Sequence, residues 1–396
     1  MLCAEQIALI KATVPLLESG GEALTTHFYN LMLSEHPEVR PLFNQAHQAS
    51  GEQPRALANG VLMYARHIDR LEALGPLVGP LVGQIINKHV ALQVLPEHYP
   101  IVGGCLLRAI REVLGAEIAT DAVIDAWAAA YQQLADILIG NEEQLYQAKA
   151  EAPGGWRGAR RFRIARKVAE SEEISSFHLQ PEDGGALMDF LPGQYIGLRL
   201  QIDGEEVRRN YSLSAASNGR EYRISVKREP GGVVSNALHA LDEGAVVELF
   251  APAGDFTLQP GDKPLVLISG GVGITPTLAM LEQALATSRP VHFIHCARNA
   301  GVHAFRRTVD ALAERHAQLR HFYCYDEHEG EAAAPDAVGL LTEERLAAWL
   351  PEDRDVDAYF LGPKPFMAAV KRQLKALGVP ERQTRYEFFG PASALE

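Results

Sequence analysis

Residues 146–160 read YQAKAEAPGGWRGAR, and the periodicity of the chain changes across them. Pro153, Gly154 and Gly155 interrupt any helix arriving from upstream, so the stretch reads as a linker over 149–158. Upstream, apolar residues recur at spacings of three and four in QIALIKATVPLL, EALTTHFYNLML, PRALANGVLMYARHI, LVGPLVGQIINKHVALQ, YPIVGGCLLRAIREVL and TDAVIDAWAAAYQQLADILIG. About six helices without a strand candidate predict an all-α domain over 1–148. Downstream, short alternating runs (RFRIARKVAE, ISSFHLQPE, QYIGLRLQI, YRISVKRE, AVVELFAPAG) are separated by Gly, Pro and Asp. They predict a small antiparallel barrel over 159–260. From 261 to 396 strand-like runs (PLVLISGG, PVHFIHCA, DAYFLGP) alternate with helix-like ones (TPTLAMLEQALA, VHAFRRTVDALAERH, FMAAVKRQLKALG). Strand alternating with helix means βαβ units and a parallel sheet. The fold class is therefore multidomain: all-α, then antiparallel β-barrel, then α/β with a parallel sheet.

The composition fits that plan. At 396 residues the chain is long enough for two or three cores. A net charge of −13 argues against a general nucleic-acid binder. No run reaches the length of a membrane span, and MLCAEQIALI lacks the features of a signal peptide. Cys3, Cys105, Cys296 and Cys324 are far apart and read as reduced thiols in a cytoplasmic protein.

Two stretches of the downstream half carry nucleotide chemistry. In SGGVGITP (269–276), Gly270, Gly271, Val272, Gly273, Ile274, Thr275 and Pro276 follow an apolar strand and open a helix. Glycines there let a backbone approach a pyrophosphate, which free N–H groups and the helix dipole favour. An ordinary tight βα turn is the alternative. In RRNYSLS, Arg209, Asn210, Tyr211 and Ser212 lie on one predicted strand, with Arg209 and Tyr211 on the same face. A guanidinium beside a phenol suits a flavin and its phosphates. Further on, EPGGVVSNALHAL sets Gly231, Gly232 and Ser235 before a short helix, a second possible phosphate cradle or a plain hairpin turn.

In that order, these motifs resemble the ferredoxin–NADP reductase superfamily. The resemblance implies that Tyr195 (in GQYIGL), Arg209, Tyr211 and Ser212 contact FAD, and that the 270–276 turn takes NAD(P)H. In FLGPKPFM, Leu361 stands where that superfamily usually has Cys. The C-terminal YEFFGP, with Glu387, Phe388, Phe389, Gly390 and Pro391, resembles the flavin-covering end of one branch.

The helical half holds KHVALQVLPEHYPIVG (88–103). His89 continues the face of Leu77, Leu81 and Ile85, and reads as a metal ligand or a hydrogen-bonded core residue. His98 opens the next helix as a cap-region or solvated residue. Upstream lie Tyr29, Phe43, Gln53 and Leu57; Gln53 also fits a capping box with Ser50. A histidine on an apolar face, with a phenol, a phenyl ring and an amide elsewhere, is what a haem pocket needs.

Over its whole length the chain then resembles the bacterial flavohaemoglobins, which are nitric oxide dioxygenases. The resemblance implies haem b bound through His89, with Tyr99 and Glu142 hydrogen-bonded to it and Tyr29, Gln53 and Leu57 around the distal ligand. Lys88 and Glu387 would lie near the haem–flavin junction. It further implies that NAD(P)H reduces FAD, FAD reduces the haem iron, and O2 with nitric oxide becomes nitrate. The expected partners are small molecules only, for a monomer with no nucleic acid and no membrane insertion. A flavin-dependent ferric or quinone reductase and a haem-based gas sensor are the competing readings. Arg298 in HCARN either meets a 2′-phosphate, which would mark NADPH, or is simply exposed.

Overall fold

The computed structural model describes residues 2–43, 51–69, 75–328 and 334–390. It falls into two compact units, one built on residues up to Glu151 with Asp203–Arg209 and Gly390, the other on most of the remainder.

The first unit is helical. Its described helices are α1 (Ala4–Ala12), α2 (Val14–Glu35), α3 (Glu52–Arg66), α4 (Gly75–Leu92), α5 (His98–Leu114) and α6 (Asp121–Glu151), with a 3-10 segment at Pro37–Leu42. QIALIKATVPLL is not one helix. The chain breaks at Thr13, whose N–H and hydroxyl both turn back to the Ile10 carbonyl. Pro15 then sits in the first turn of α2, where its missing N–H leaves no carbonyl unpaired. Conversely, α2 continues through Gly20 and Gly21; a Cβ at Gly21 would sit in ordinary contact with Ala58 of α3, 3.5 Å away. Helix α6 buries Val123, Ala126, Trp127, Ala130, Ala135, Leu138, Glu142, Tyr146 and Lys149, a stripe whose steps, apart from the adjacent Ala126 and Trp127, are three to five residues. The core gathers Phe28, Tyr29, Met32, Val39, Leu106, Ile110 and Trp127. A second cluster around Tyr99, Ala135 and Leu138 adjoins it, with Val94 and Tyr131 packing against both.

After the helices comes a six-stranded antiparallel sheet in the order β4-β3-β6-β1-β2-β5, all of it in the second unit except residues 205–209. Its strands are β1 (Arg160–Ala169), β2 (Ile174–Pro181), β3 (Tyr195–Ile202), β4 (Glu205–Ser212), β5 (Tyr222–Lys227) and β6 (Val246–Leu249). A bridge between Leu213 and Ile224 joins the ends of the order, closing the sheet into a barrel. Helix α7 (Val233–Ala240) follows β5. Next comes a parallel sheet in the order β10-β9-β8-β7-β11-β12. Its central strand β7 (Leu265–Gly270) is buried at every residue, as a strand covered on both faces must be. It is flanked by β8 (Val291–Ala297) and β11 (Asp357–Leu361); β9 (Leu319–Tyr325), β10 (Ala337–Val338) and β12 (Thr384–Tyr386) complete the sheet. Helices α8 (Ile274–Ala284), α9 (Arg306–Arg315), α10 (Glu343–Trp349) and α11 (Lys364–Ala376) connect these strands. Barrel and parallel sheet meet at Glu282, whose carboxylate accepts from the Ala216 N–H at 2.8 Å and from Arg223 at 3.2 Å. The architecture is the expected one: helical, then antiparallel, then parallel. Among the described residues, no helix is long and apolar enough to cross a membrane.

Candidate functional site

In the helical unit, His89 near the end of α4 turns its Nδ1 toward Glu142, 2.7 Å away, and toward the Tyr99 hydroxyl at 3.2 Å. Tyr99 donates to the same Glu142 oxygen at 2.7 Å. The Glu142 side chain is only 3% exposed, because the apolar stripe of α6 carries it inward between Leu138 and Tyr146. Burial, the bond to Glu142 and its charge together hold the Tyr99 phenol far above its ordinary range, so it stays a donor. A second set of bonds fixes the frame. Tyr131 donates to the Tyr99 carbonyl at 2.7 Å, and Tyr146 donates to the Val94 carbonyl at 2.9 Å. Gly103 is required there, since a Cβ would come within 2.5 Å of the Tyr131 ring.

Among the described residues the His89 Nε2 has no hydrogen-bond partner, and the side chain keeps 31% of its exposure. An imidazole locked by a carboxylate through Nδ1, with Nε2 left open, is the donor arrangement a haem iron takes from one protein ligand. These residues fit the group. His98, by contrast, accepts from the Leu95 N–H through Nδ1 and so closes the turn into α5.

Tyr29 is buried and meets Phe43 edge-on at 5.7 Å between ring centres. Leu57 packs against the same core. Gln53 sits half-buried in the first turn of α3. The helix is capped by Gly51 with no side-chain bond; Ser50, its expected capping partner, lies outside the described residues, as do the side chains of Leu77 and Leu81. Lys88 donates to the Gly390 carbonyl at 2.7 Å, inside the same unit.

In the second unit Tyr195 opens β3 and is 6% exposed. Burial raises its phenol well above the usual range, with Glu387 and Asp255 adding to the effect. Glu387 is itself buried. Arg209, Asn210, Tyr211 and Ser212 end β4; Arg209 is half-buried and donates to the Arg208 carbonyl. The Asn210 side-chain oxygen Oδ1 is buried and has no partner among the described residues, an orphan acceptor that suits a ligand N–H or hydroxyl such as a flavin offers. Ser235 lies inside the first turn of α7 and bonds locally, accepting from the Glu229 N–H; Gly231 supplies a positive φ of 72° and Gly232 caps the helix.

The 270–276 turn joins β7 to α8. Gly271 has φ of +54° with nothing within 4 Å of a built Cβ, so its outer side is open. A Cβ on Gly273 would come within 2.4 Å of the Leu361 carbonyl oxygen, so only glycine lets β11 approach the turn. The side chains of Ile274, Thr275 and Pro276 are buried and Val272 packs on the core, leaving the backbone to face a ligand. That fits a pyrophosphate at a helix N-terminus. The Leu361 side chain is fully buried in the core, while its carbonyl backs the turn. Arg298 is exposed and pairs with Glu173. Phe388 packs on the parallel-sheet core, Phe389 is 49% exposed, and Pro391 lies outside the described residues. Tyr131, Tyr146, Gly103 and Glu282 escaped the sequence reading; only the inward phase of α6 could have pointed to the two tyrosines.

Comparison with known proteins matches three families along the chain. Residues 26–138 match the globin family, 161–258 the oxidoreductase FAD-binding domain and 267–372 the oxidoreductase NAD-binding domain. The chain is 75% identical to a flavohemoprotein of Pseudomonas putida and 70% identical to one of Pseudomonas aeruginosa, each over the full length of both chains. The crystal structure of a flavohemoglobin from Malassezia yamatoensis, with bound FAD and heme, superposes with a TM-score of 0.85 at 26% identity, covering 98% of this chain and 100% of that one. The FAD/NAD-binding domain of a nitric oxide dioxygenase from Vibrio cholerae is 38% identical with a TM-score of 0.55, covering 59% of this chain and 100% of that one. With identity of that order from end to end and three domain families matched in sequence, the chain belongs to the flavohemoprotein family and is an oxidoreductase enzyme that uses haem, FAD and a nicotinamide nucleotide.

Proposed function

We propose that this enzyme is a nitric oxide dioxygenase. The bound groups supply the redox chemistry, with electrons from NAD(P)H reaching haem through FAD and O2 converting nitric oxide to nitrate. The protein's part is to hold and tune. His89 presents Nε2 to the iron, while Glu142 takes the Nδ1 proton into a short bond and makes the ring a stronger donor. Tyr99 shares that carboxylate oxygen and fixes its direction. Tyr29, with Gln53, Leu57 and Phe43, supplies hydroxyl, amide and apolar walls for the gaseous ligands. Tyr195, Arg209, Asn210, Tyr211, Ser212, Gly231, Gly232 and Ser235 hold the flavin. The 270–276 backbone holds the nucleotide pyrophosphate. Glu387, Phe388 and Phe389 serve the flavin side, and Lys88 holds the Gly390 carbonyl within the helical unit.

The observation that carries this reading is the His89–Glu142–Tyr99 group, in a chain that also has its own flavin and nucleotide domains. A carboxylate-backed imidazole pushes electron density toward iron, which favours oxygen chemistry over reversible storage. The nitric oxide dioxygenase of Vibrio cholerae, like this chain in its FAD/NAD module, supports the choice of substrate. The test is an aerobic nitric oxide electrode assay of the holoprotein with NADH and with NADPH. Nitrate should form in step with nitric oxide loss. Nucleotide oxidation that ignores nitric oxide would overturn the proposal.

A further inference from the structure

Two of the four cysteines meet in the parallel sheet. Cys296 on β8 and Cys324 on β9 are register partners in neighbouring parallel strands, so their side chains leave the same face of the sheet. Neighbouring strands lie about 4.8 Å apart. A disulfide spans Cα separations of about 4.4–6.8 Å. Cys324 is buried; its S–H donates to the Gly339 carbonyl at 3.0 Å, and Arg345 lies 3.8 Å from its sulfur. Cys296 is the partly exposed member of the pair. It is also the register partner of Gly270, where β7 enters the nucleotide turn.

We propose that Cys296 and Cys324 are a dithiol modification site that a two-electron oxidant such as hydrogen peroxide closes reversibly to a disulfide. The charge pattern assigns the roles. Cys296, the partly exposed thiol, meets the oxidant first, and the Arg345 guanidinium beside the Cys324 sulfur suits Cys324 to resolve the product. Cys296 gives up its proton and attacks peroxide as the thiolate: an S–O bond forms, the O–O bond breaks, and hydroxide leaves, taking up that proton as water. The Cys324 thiol then loses its proton beside Arg345 and displaces the oxygen from Cys296. An S–S bond replaces the S–O bond and a second water leaves. Two thiols and one peroxide give one disulfide and two waters, with both sulfurs oxidised and both peroxide oxygens reduced.

Cys105 is buried in the helical core and Cys3 is exposed near the N-terminus, so neither competes for this partner. Position at the C-terminal ends of β8 and β9 puts the site on the ligand-binding edge of the sheet rather than in its interior.

The experiment uses the reduced holoprotein and hydrogen peroxide, followed by alkylation and peptide mass analysis. The expected result is loss of two of the four titratable thiols, one cross-linked peptide pair containing Cys296 and Cys324 and lighter by two hydrogens, and recovery with dithiothreitol. Cys296→Ser, at a partly exposed position, should retain fold and cofactors but form no cross-link. Arg345→Gln should slow cross-linking in the intact pair. A sulfinate or sulfonate on Cys296 with Cys324 still open to alkylation after unfolding would overturn the proposal, as would two thiols that survive peroxide unchanged. Because the readout is thiol chemistry, it stands or falls independently of the nitric oxide assay.

Discussion

Replacing Glu142 by Gln isolates what the buried carboxylate does for His89. The substitution keeps an oxygen where Oε1 now accepts both from His89 at 2.7 Å and from Tyr99 at 2.7 Å, but removes the charge. A hydrogen bond to a charged group contributes about 1.5–3 kcal/mol and a neutral one about 1. The imidazole therefore loses about 0.5–2 kcal/mol of stabilisation for the positive charge it shares with oxidised iron. For a one-electron couple, where tenfold corresponds to 59 mV, that is a rise of about 20–90 mV in the haem midpoint potential. Tyr99→Phe should act in the opposite direction, because it removes a competing donor from the same carboxylate and leaves more of the charge on His89. Anaerobic spectroelectrochemical titration of the haem band measures both. A Glu142→Gln protein with an unchanged midpoint, or two variants that shift the same way, would show that the carboxylate serves only to hold the helices. A thermal unfolding curve run alongside separates a change in potential from a loss of packing.

Two further outcomes follow from the second unit. Gly273→Ala puts a Cβ 2.4 Å from the Leu361 carbonyl oxygen, so the turn must move away from β11; flavin reduction by nucleotide in stopped flow should fall on the order of 10²-fold while haem and flavin spectra persist, and an unchanged rate would remove the turn from the nucleotide site. Burial holds His295 at about 3 and pushes His303 below its ordinary value as well, with their rings 4.4 Å apart. An unfolded chain protonates both near 6.5, so their contribution to stability is complete above that pH and is lost as pH falls toward 3. At pH 5 the loss is about 2 kcal/mol for each. Hydrogen exchange of β8 peptides should show that loss in the wild type and a shallower pH slope in His303→Asn; equal slopes would refute it.

Local chemistry and long-range register were not equally legible in the sequence. The glycines of 270–276 could be read because a turn between an apolar strand and a helix is a local event. The helical, barrel and parallel-sheet regions could be read because periods of 3.6 and 2 are local as well. His89 was different. Its helix phase placed it on an apolar face, where a core histidine and a ligand look alike, and what distinguishes them is a carboxylate 53 positions away. The signal for that carboxylate lay in α6, where Leu138, Glu142 and Tyr146 follow one another at intervals of four. A charged residue on a buried stripe needs a partner, and the stripe asks for one before the fold says which. Gly103 carried no such signal, because its need for a missing side chain arises only from where the Tyr131 ring lies. Cys296 and Cys324 mark the far limit. Their wide separation in sequence gave every reason to treat them as unrelated thiols. Only the parallel register of β8 against β9 makes them neighbours, and no periodicity within either strand encodes which residue of one faces which residue of the other.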